Sequence, residues 1–362
     1  MPQSMKSLLV GSTAAYSGRS AIILGIAQQL QERGLDICYG KPIGIFENPS
    51  DPHAVDADVQ FLSQTLKLPT ERVRPTLISL DAASVENRLK GEDQRDYRTD
   101  FQQYTATASG DLCLLEGPSS LDEGKLFDLS ITQMANVLNA SVLLVTRFCQ
   151  TTIADALLAA QQALGDRLLG VVINDIPDAR LEFVRSALQP FLAQQGIDVL
   201  GMLPHSEILR SVSVGELVHR LEAEILCCPE RTDLMVESLT IGAMNVNSAL
   251  KYFRKGHSMA VVTGGDRTDL QFAALETSTQ CLILTGQMSP DSMILSRAEE
   301  LEVPILSVDL DTLTTVEIIE QAFREVELHE AIKVQCVFEL MQQHFDTDRL
   351  LNKLGLSSAV TV

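Results

Sequence analysis

The sequence predicts an α/β protein. Residues 1–210 read as a doubly wound, mostly parallel sheet, residues 212–326 as a smaller α/β domain, and residues 327–362 as a C-terminal helical tail. Three observations predict this. Strand and helix patterns alternate along the chain. The strands are nearly continuous apolar runs, as strands covered on both faces are. Most polar clusters follow the C-terminal end of a strand, which is where open α/β sheets hold ligands.

The elements follow in order. Ser7–Val10 is an apolar strand, and Gly18–Glu32 a helix whose Ile22, Ile23, Ile26 and Leu30 recur on one face, with Gly34 as its C-cap. Ile37–Ile45 reads as one apolar strand carrying Lys41-Pro42, Asn48–His53 as a turn-rich loop and Asp56–Leu66 as a helix. The charged stretch Ala83–Tyr104 reads as a surface helix. Strands follow at Asp111–Leu115, Ser141–Val145, Leu168–Asn174 and Val199–Leu203, with helices at Thr152–Leu164 and Arg180–Gln195 between them.

After Pro204 the pattern changes. The second domain reads as helix Ser211–Glu224, a break at Cys227–Arg231, strand Leu239–Met244, helix Asn247–Phe253 and strand Met259–Val262. It continues with strand Cys281–Leu284, helix Asp291–Leu301, strand Pro304–Val308 and helix Thr314–Phe323. In the tail, Val334, Val337, Leu340 and Met341 recur at helical spacing, as do Leu350, Leu351 and Leu354. This reads first as a packing stripe, and second as a face for docking a partner.

Composition narrows the function. Of 362 residues, 45% are hydrophobic and 21% charged, which suits two globular domains. The net charge of −20 repels polyanions, so nucleic acid and anionic membrane are poor partners. Seven Cys lie scattered without a C-x-x-C pair, the pattern of reduced thiols in a cytoplasm. The N-terminus reads as carrying no signal peptide, and no apolar run reaches the roughly 18 residues of a membrane span.

The most informative stretch is Ser7 to Ser20. It reads as a strand, a small-residue loop and a helix starting near Gly18, the layout in which backbone N–H groups and a helix N-terminus face phosphate. Thr13, Ser17 and Gly18 line the loop, and Ser20 supplies a hydroxyl for a metal ion. Arg19 stands where such loops carry Lys, and Thr13 where they carry their first Gly. A planar guanidinium does not replace a compact ammonium beneath phosphates, so binding should survive more readily than phosphoryl transfer. The alternative is a Gly/Ser turn that joins strand to helix.

Other clusters support the first reading. Glu116-Gly117 ends one strand, and Asp51, Asp56 and Asp58 follow another. Asn174 ends a third, where its amide would read a base edge. Gly264, Gly265, Asp266, Arg267, Thr268 and Asp269 form a second strand–glycine–helix junction. There Asp266 would cap the helix, while Arg267 would bind an anion, pair with an acid or cross an interface.

These residues carry a family resemblance. Residues 1 to about 210 resemble the dethiobiotin-synthetase-like P-loop module of long bacterial phosphotransacetylases. The match runs through Gly11-Ser12-Thr13, Ser17-Gly18-Arg19-Ser20, Lys41-Pro42-Ile43-Gly44, Asp56 to Leu62, Glu116-Gly117 and Val171 to Asn174. Residues 212–326 resemble the DRTGG domain that follows it there. They match through Gly242-Ala243-Met244, Thr263 to Asp269, Leu284-Thr285-Gly286, Val303-Pro304-Ile305 and Asp311-Thr312-Leu313, with Asp269-Leu270 in place of the motif's two glycines. The chain ends soon after this domain, so the catalytic domain's acetyl transfer is not expected.

The resemblance implies ATP and Mg2+ in the first domain. Ser20, Glu116 and Asp56 or Asp58 would hold the magnesium. Thr13, Ser17, Gly18, Arg19 and Ser20 would line the phosphates, Asn174 would meet adenine, and Lys41 would match the catalytic lysine of dethiobiotin synthetase. It also implies a homodimer through the second domain, with Gly264, Gly265, Asp266, Arg267 and Thr268 as ligand or interface residues. The expectation is a cytoplasmic adenine-nucleotide-binding regulatory protein with weak or no catalysis, acting on an unidentified protein partner. The alternatives are an ATP-dependent ligase that activates a carboxylate and a non-binding dimeric scaffold.

Overall fold

The computed structural model describes residues 5–46, 55–106, 108–326 and 328–356. Asn48–His53, Asp51 among them, and Glu327 at the head of the expected tail lie outside the described residues. The chain divides into two compact units: one runs to His205 and resumes at His329, and the other spans Ser206–Leu328.

The first unit runs β1 (Lys6–Ser12), α1 (Arg19–Glu32), β2 (Ile37–Gly40), β3 (Ile43–Gly44), α2 (Ala57–Thr65), β4 (Val73–Arg74) and β5 (Ile78–Ser79). Next come α3 (Ala82–Lys90), α4 (Tyr97–Tyr104), β6 (Leu112–Glu116), α5 (Ile131–Leu138), β7 (Ser141–Arg147), α6 (Ile153–Leu164) and β8 (Leu168–Ile176). A helical stretch follows as α7 (Asp178–Phe183), a π-helical run Val184–Leu188 and α8 (Gln189–Gln194), before β9 (Val199–Pro204). Among the described residues seven strands form one sheet in the order β4-β2-β6-β1-β7-β8-β9. Among the described residues its strand pairings are parallel. The strand order reverses at β1, so the end of β1 opens into a crevice between β6 and β7, the expected place for a ligand.

Burial explains the apolar runs. Leu8, Leu9 and Val10 of β1, Leu112 to Leu115 of β6 and Val142 to Val145 of β7 are all buried. The helix after β1 differs from expectation, because it is covered nearly all round rather than on one face. Ala21, Ile22, Ile23, Leu24, Ile26, Ala27 and Leu30 are all buried. The cover is the C-terminal pair α15 (Ala331–His344) and α16 (Thr347–Leu354), whose Val337, Met341, Leu350, Leu351 and Leu354 are buried. Gly25 permits this approach: a Cβ there would stand 2.3 Å from Met341 Cγ. Thr347 Oγ1 donates to Gln29, and Lys6 Nζ to the Gly355 carbonyl at 3.0 Å. The stripe in the tail is therefore packed within the first unit.

Two expected elements divide. Ile37–Ile45 breaks at Pro42, which has no N–H to offer a ladder. Beyond it β3 pairs with β5 in a separate two-stranded sheet. The Ala83–Tyr104 helix breaks after Gly91, whose φ of 75° closes α3. Nor is its second half a surface helix, since Tyr97, Phe101 and Tyr104 are buried.

The second unit holds α9 (Glu207–Arg210), β10 (Val212–Ser213), α10 (Val214–Leu221), β11 (Glu224–Cys227), β12 (Met235–Val236), β13 (Ser238–Gly242), α11 (Val246–Phe253) and β14 (Met259–Gly264). It goes on through α12 (Thr268–Leu275), β15 (Thr279–Thr285), α13 (Ser292–Glu300), β16 (Ile305–Val308) and α14 (Thr312–Arg324). Its main sheet is ordered β11-β16-β15-β14-β13, with β11 antiparallel to β16. The expected helix Ser211–Glu224 is shorter at both ends, because Val212 and Ser213 pair with Val236 and Met235, and Glu224 starts β11.

Candidate functional site

The first unit gathers buried charge at the C-terminal ends of β1, β2 and β6. β1 leads into the loop Thr13 to Gly18, and α1 starts at Arg19. Gly18 has φ 87°, and a Cβ on it would lie 2.2 Å from Asn174 Nδ2, so only glycine fits that corner. Asn174 Nδ2 donates to the Ser17 carbonyl at 2.9 Å. One N–H of the amide expected to meet an adenine thus clamps the loop. Thr13 ties the other side, its Oγ1 2.9 Å from Thr146 Oγ1 on β7. Tyr16, at φ 55°, presents an exposed ring from the loop. Ser17 is buried, and its Oγ has no hydrogen-bond partner among the described residues.

Glu116 is the hub. Its side chain is fully buried. Oε1 accepts from Arg19 Nε at 3.1 Å and from Ser20 Oγ at 2.9 Å, and Oε2 accepts from Tyr39 OH at 2.7 Å. Burial pushes the Glu116 carboxyl up, but the charges of Arg19 and Lys41 and the hydrogen bonds from Tyr39 and Ser20 outweigh it and hold the group below the ordinary glutamate range. Burial beside Glu116 raises the Tyr39 phenol well above its ordinary value.

Lys41, just past β2, is pinned by the two aspartates expected as magnesium ligands. Its Nζ lies 2.9 Å from Asp56 Oδ1 and 2.5 Å from Asp58 Oδ2. Burial alone would lower the ammonium, yet Glu116, Asp58 and Asp56 together raise it above its ordinary value. Asp58 moves up from the ordinary aspartate range, because burial and the Glu116 charge outweigh Lys41. Asp56 also caps α2 through the N–H groups of Asp58 and Val59, and its Oδ2 accepts from Ile45 N at 3.0 Å.

Gly18, Arg19, Ser20, Glu116 and Asn174 therefore meet around one loop, and Lys41, Asp56 and Asp58 form a second knot beside Glu116. Sequence reasoning missed Tyr39, although it points to the same side of its strand as Lys41 by period-two alternation. It also missed Ser12, whose Oγ lies 2.7 Å from the Ser119 carbonyl and 3.4 Å from Arg19 Nη1. At the next strand ends, Arg147 Nε and His205 Nδ1 meet Asp175 at 2.7 and 2.6 Å.

The junction in the second unit is built differently. Arg267 pairs with Asp269, Nε to Oδ1 at 3.1 Å, and donates to the Met244 carbonyl at 3.0 Å. Asp266 does not cap the helix: Arg267 is the N-cap residue, and no side chain bonds there. Gln271, fully buried, spans the turn, its Nε2 donating to the carbonyls of Gly264 and Gly265 at 3.1 and 3.0 Å. Its Oε1 has no partner among the described residues.

A family model described as an AAA domain matches residues 6–213, and one described as a DRTGG domain matches residues 216–322. The chain belongs to the AAA domain family. In this AAA and DRTGG chain, the first matched segment carries the Arg19–Glu116 cluster and the second carries the Arg267 turn. A phosphate acetyltransferase of Synechocystis is 25% identical over 375 residues, covering 96% of this chain and 52% of the relative. One of Nitratidesulfovibrio vulgaris is 23% identical over 369 residues, covering 96% and 51%. The chain thus spans about half the length of the curated relatives it matches. Among solved structures, the CBS and DRTGG region of a Clostridium perfringens pyrophosphatase, complexed with the activator diadenosine tetraphosphate, covers 42% of this chain at 20% identity. The match covers 73% of that structure, with a TM-score of 0.29. An overlap that low fixes neither this chain's fold nor its ligand. No described helix is long and apolar enough to cross a membrane.

Proposed function

We propose that this AAA and DRTGG chain is a cytoplasmic adenine-nucleotide-binding regulatory protein with weak or no catalysis. The observation that carries the reading is the loop Thr13 to Ser20. It opens a 14-residue helix at a switch point of the sheet and keeps the buried Ser17 hydroxyl unpartnered among the described residues. The family match over residues 6–213 supports it. Two contacts at the same site support low turnover. Lys41 is held between Asp56 and Asp58, and Arg19, in place of the usual lysine, pairs with Glu116. The homodimer through residues 212–326 and the unidentified protein partner are carried over from the family resemblance.

The groups expected to hold magnesium are engaged with one another and with protein cations, Ser20 with Glu116 among them. Of the expected ligands, Glu116 has both oxygens engaged, and Asp56 and Asp58 hold Lys41. Among the described residues no group of three or more His, Cys, Asp or Glu is arranged to hold a metal ion.

The test is the melting temperature of the chain with ATP, GTP or no nucleotide. Ligand at 100 times its Kd adds about 2.7 kcal/mol, or a few degrees in a domain of this size. A rise with ATP that exceeds the rise with GTP is expected, and no rise with either at millimolar concentration refutes the reading. Phosphate release measured alongside should stay near background. Sustained release that depends on Lys41 would favour the ligase alternative.

A further inference from the structure

Arg19 and Ser20 converge on one carboxylate oxygen. Arg19 Nε and Ser20 Oγ lie 3.1 and 2.9 Å from Glu116 Oε1. A hydroxyl at the first turn of the helix and an acid at the end of a neighbouring strand are the groups that hold a divalent cation beside bound phosphates in a P-loop site. Here the cation that bridges loop and acid belongs to the protein. We propose that the Arg19 guanidinium is the resident cation of this site, so that it takes a di- or triphosphate without a divalent metal. For nucleotides, this rests on the adenine-nucleotide reading above.

Three features carry the inference. First, Arg19 Nε already sits on the same Glu116 oxygen that Ser20 meets, where a bridging cation would stand. Second, the acids are already answered by protein groups: both Glu116 oxygens by Arg19, Ser20 and Tyr39, and Asp56 and one Asp58 oxygen by Lys41. Third, donors remain. A guanidinium has five N–H groups. Nε goes to Glu116 and one Nη1 hydrogen to Ser12 at 3.4 Å, while the others have no hydrogen-bond partner among the described residues. The Arg19 side chain is only 15% exposed. Ser17 Oγ, buried two residues earlier, is likewise unpartnered there. Unspent donors at a helix N-terminus suit an oxyanion, and a guanidinium holds phosphate oxygens in pairs.

The test is calorimetric titration of the full chain with ATP and with inorganic tripolyphosphate, each in EDTA and in excess magnesium. Both should bind in EDTA, with magnesium changing the affinity less than tenfold. Arg19→Ala should lose at least tenfold in EDTA and recover part of it when magnesium is added. Arg19→Lys, which keeps a charge beside Glu116, should fold if the alanine variant does not, and should bind tripolyphosphate in EDTA more weakly than wild type. Wild-type binding that needs magnesium by tenfold or more overturns the inference while leaving the nucleotide reading intact. Tripolyphosphate binding in EDTA without ATP binding does the reverse. No binding of either compound under any condition overturns both.

Discussion

The chain builds the junction of strand, glycine and helix twice, to opposite effect. At Thr13 to Ser20 the polar groups are answered from far along the chain: Arg19 and Ser20 by Glu116, Ser17 by Asn174, Thr13 by Thr146. At Gly264 to Asp269 the answers are mostly local: Arg267 pairs two residues on, Gln271 closes the turn on itself, and the Arg267 bond to the Met244 carbonyl reaches further. What remains unspent also differs. The first junction keeps the buried Ser17 hydroxyl unpartnered among the described residues, whereas the second keeps a buried acceptor, Gln271 Oε1; each arginine keeps guanidinium N–H groups to spare. Phosphate needs donors. On the proposed reading the same motif serves as a site in one place and a joint in the other, and the difference lies in the partners of each turn rather than in the glycines.

The contrast can be broken by mutation. The largest effect should come from Glu116→Ala, which strands Arg19 and removes the partner of Tyr39 and Ser20. Breaking a buried pair on one side costs about 3–5 kcal/mol, measurable by urea denaturation. Next is Gly18→Ala. A left-handed backbone costs an L-residue about 1–2 kcal/mol, the new methyl would press on Asn174, and ATP affinity should fall at least tenfold.

A smaller effect is expected from pH. Glu116 is held below its ordinary range, so its stabilising contribution is complete above that range and is lost as pH falls through the folded value. Stability of the wild type should drop on acidification, and Glu116→Gln should flatten that limb. A wild-type profile identical to that of the glutamine variant would contradict the charge assignment. Smallest of all is Asp269→Ala at the second junction. It faces solvent and should leave the urea midpoint unchanged within error. A loss approaching that of Glu116→Ala would dissolve the comparison.

Much of the first unit was legible because its signals are local. Continuous apolar strands, and acids and amides at strand ends, place Glu116 and Asn174 without structure. What could not be read depends on distant packing. One apolar face of α1 was visible in Ile22, Ile26 and Leu30, but the reason for its all-round burial lies in the C-terminal helix. Pro42 and Gly91 were visible as breakers, yet the long apolar and charged runs around them read as single elements. The contacts of Asn174 and Lys41 were hidden for a related reason: sequence gives a side chain's neighbourhood, and only the fold shows that the Ser17 carbonyl and the Asp56–Asp58 pair engage these groups.

Amide hydrogen exchange of the full chain, with and without ATP, tests the contrast most directly. Protection should appear across residues 13–20 and leave residues 264–268 unchanged. Protection confined to 264–268, with 13–20 exchanging as before, would contradict the assignment of the first junction as the site and the second as a joint.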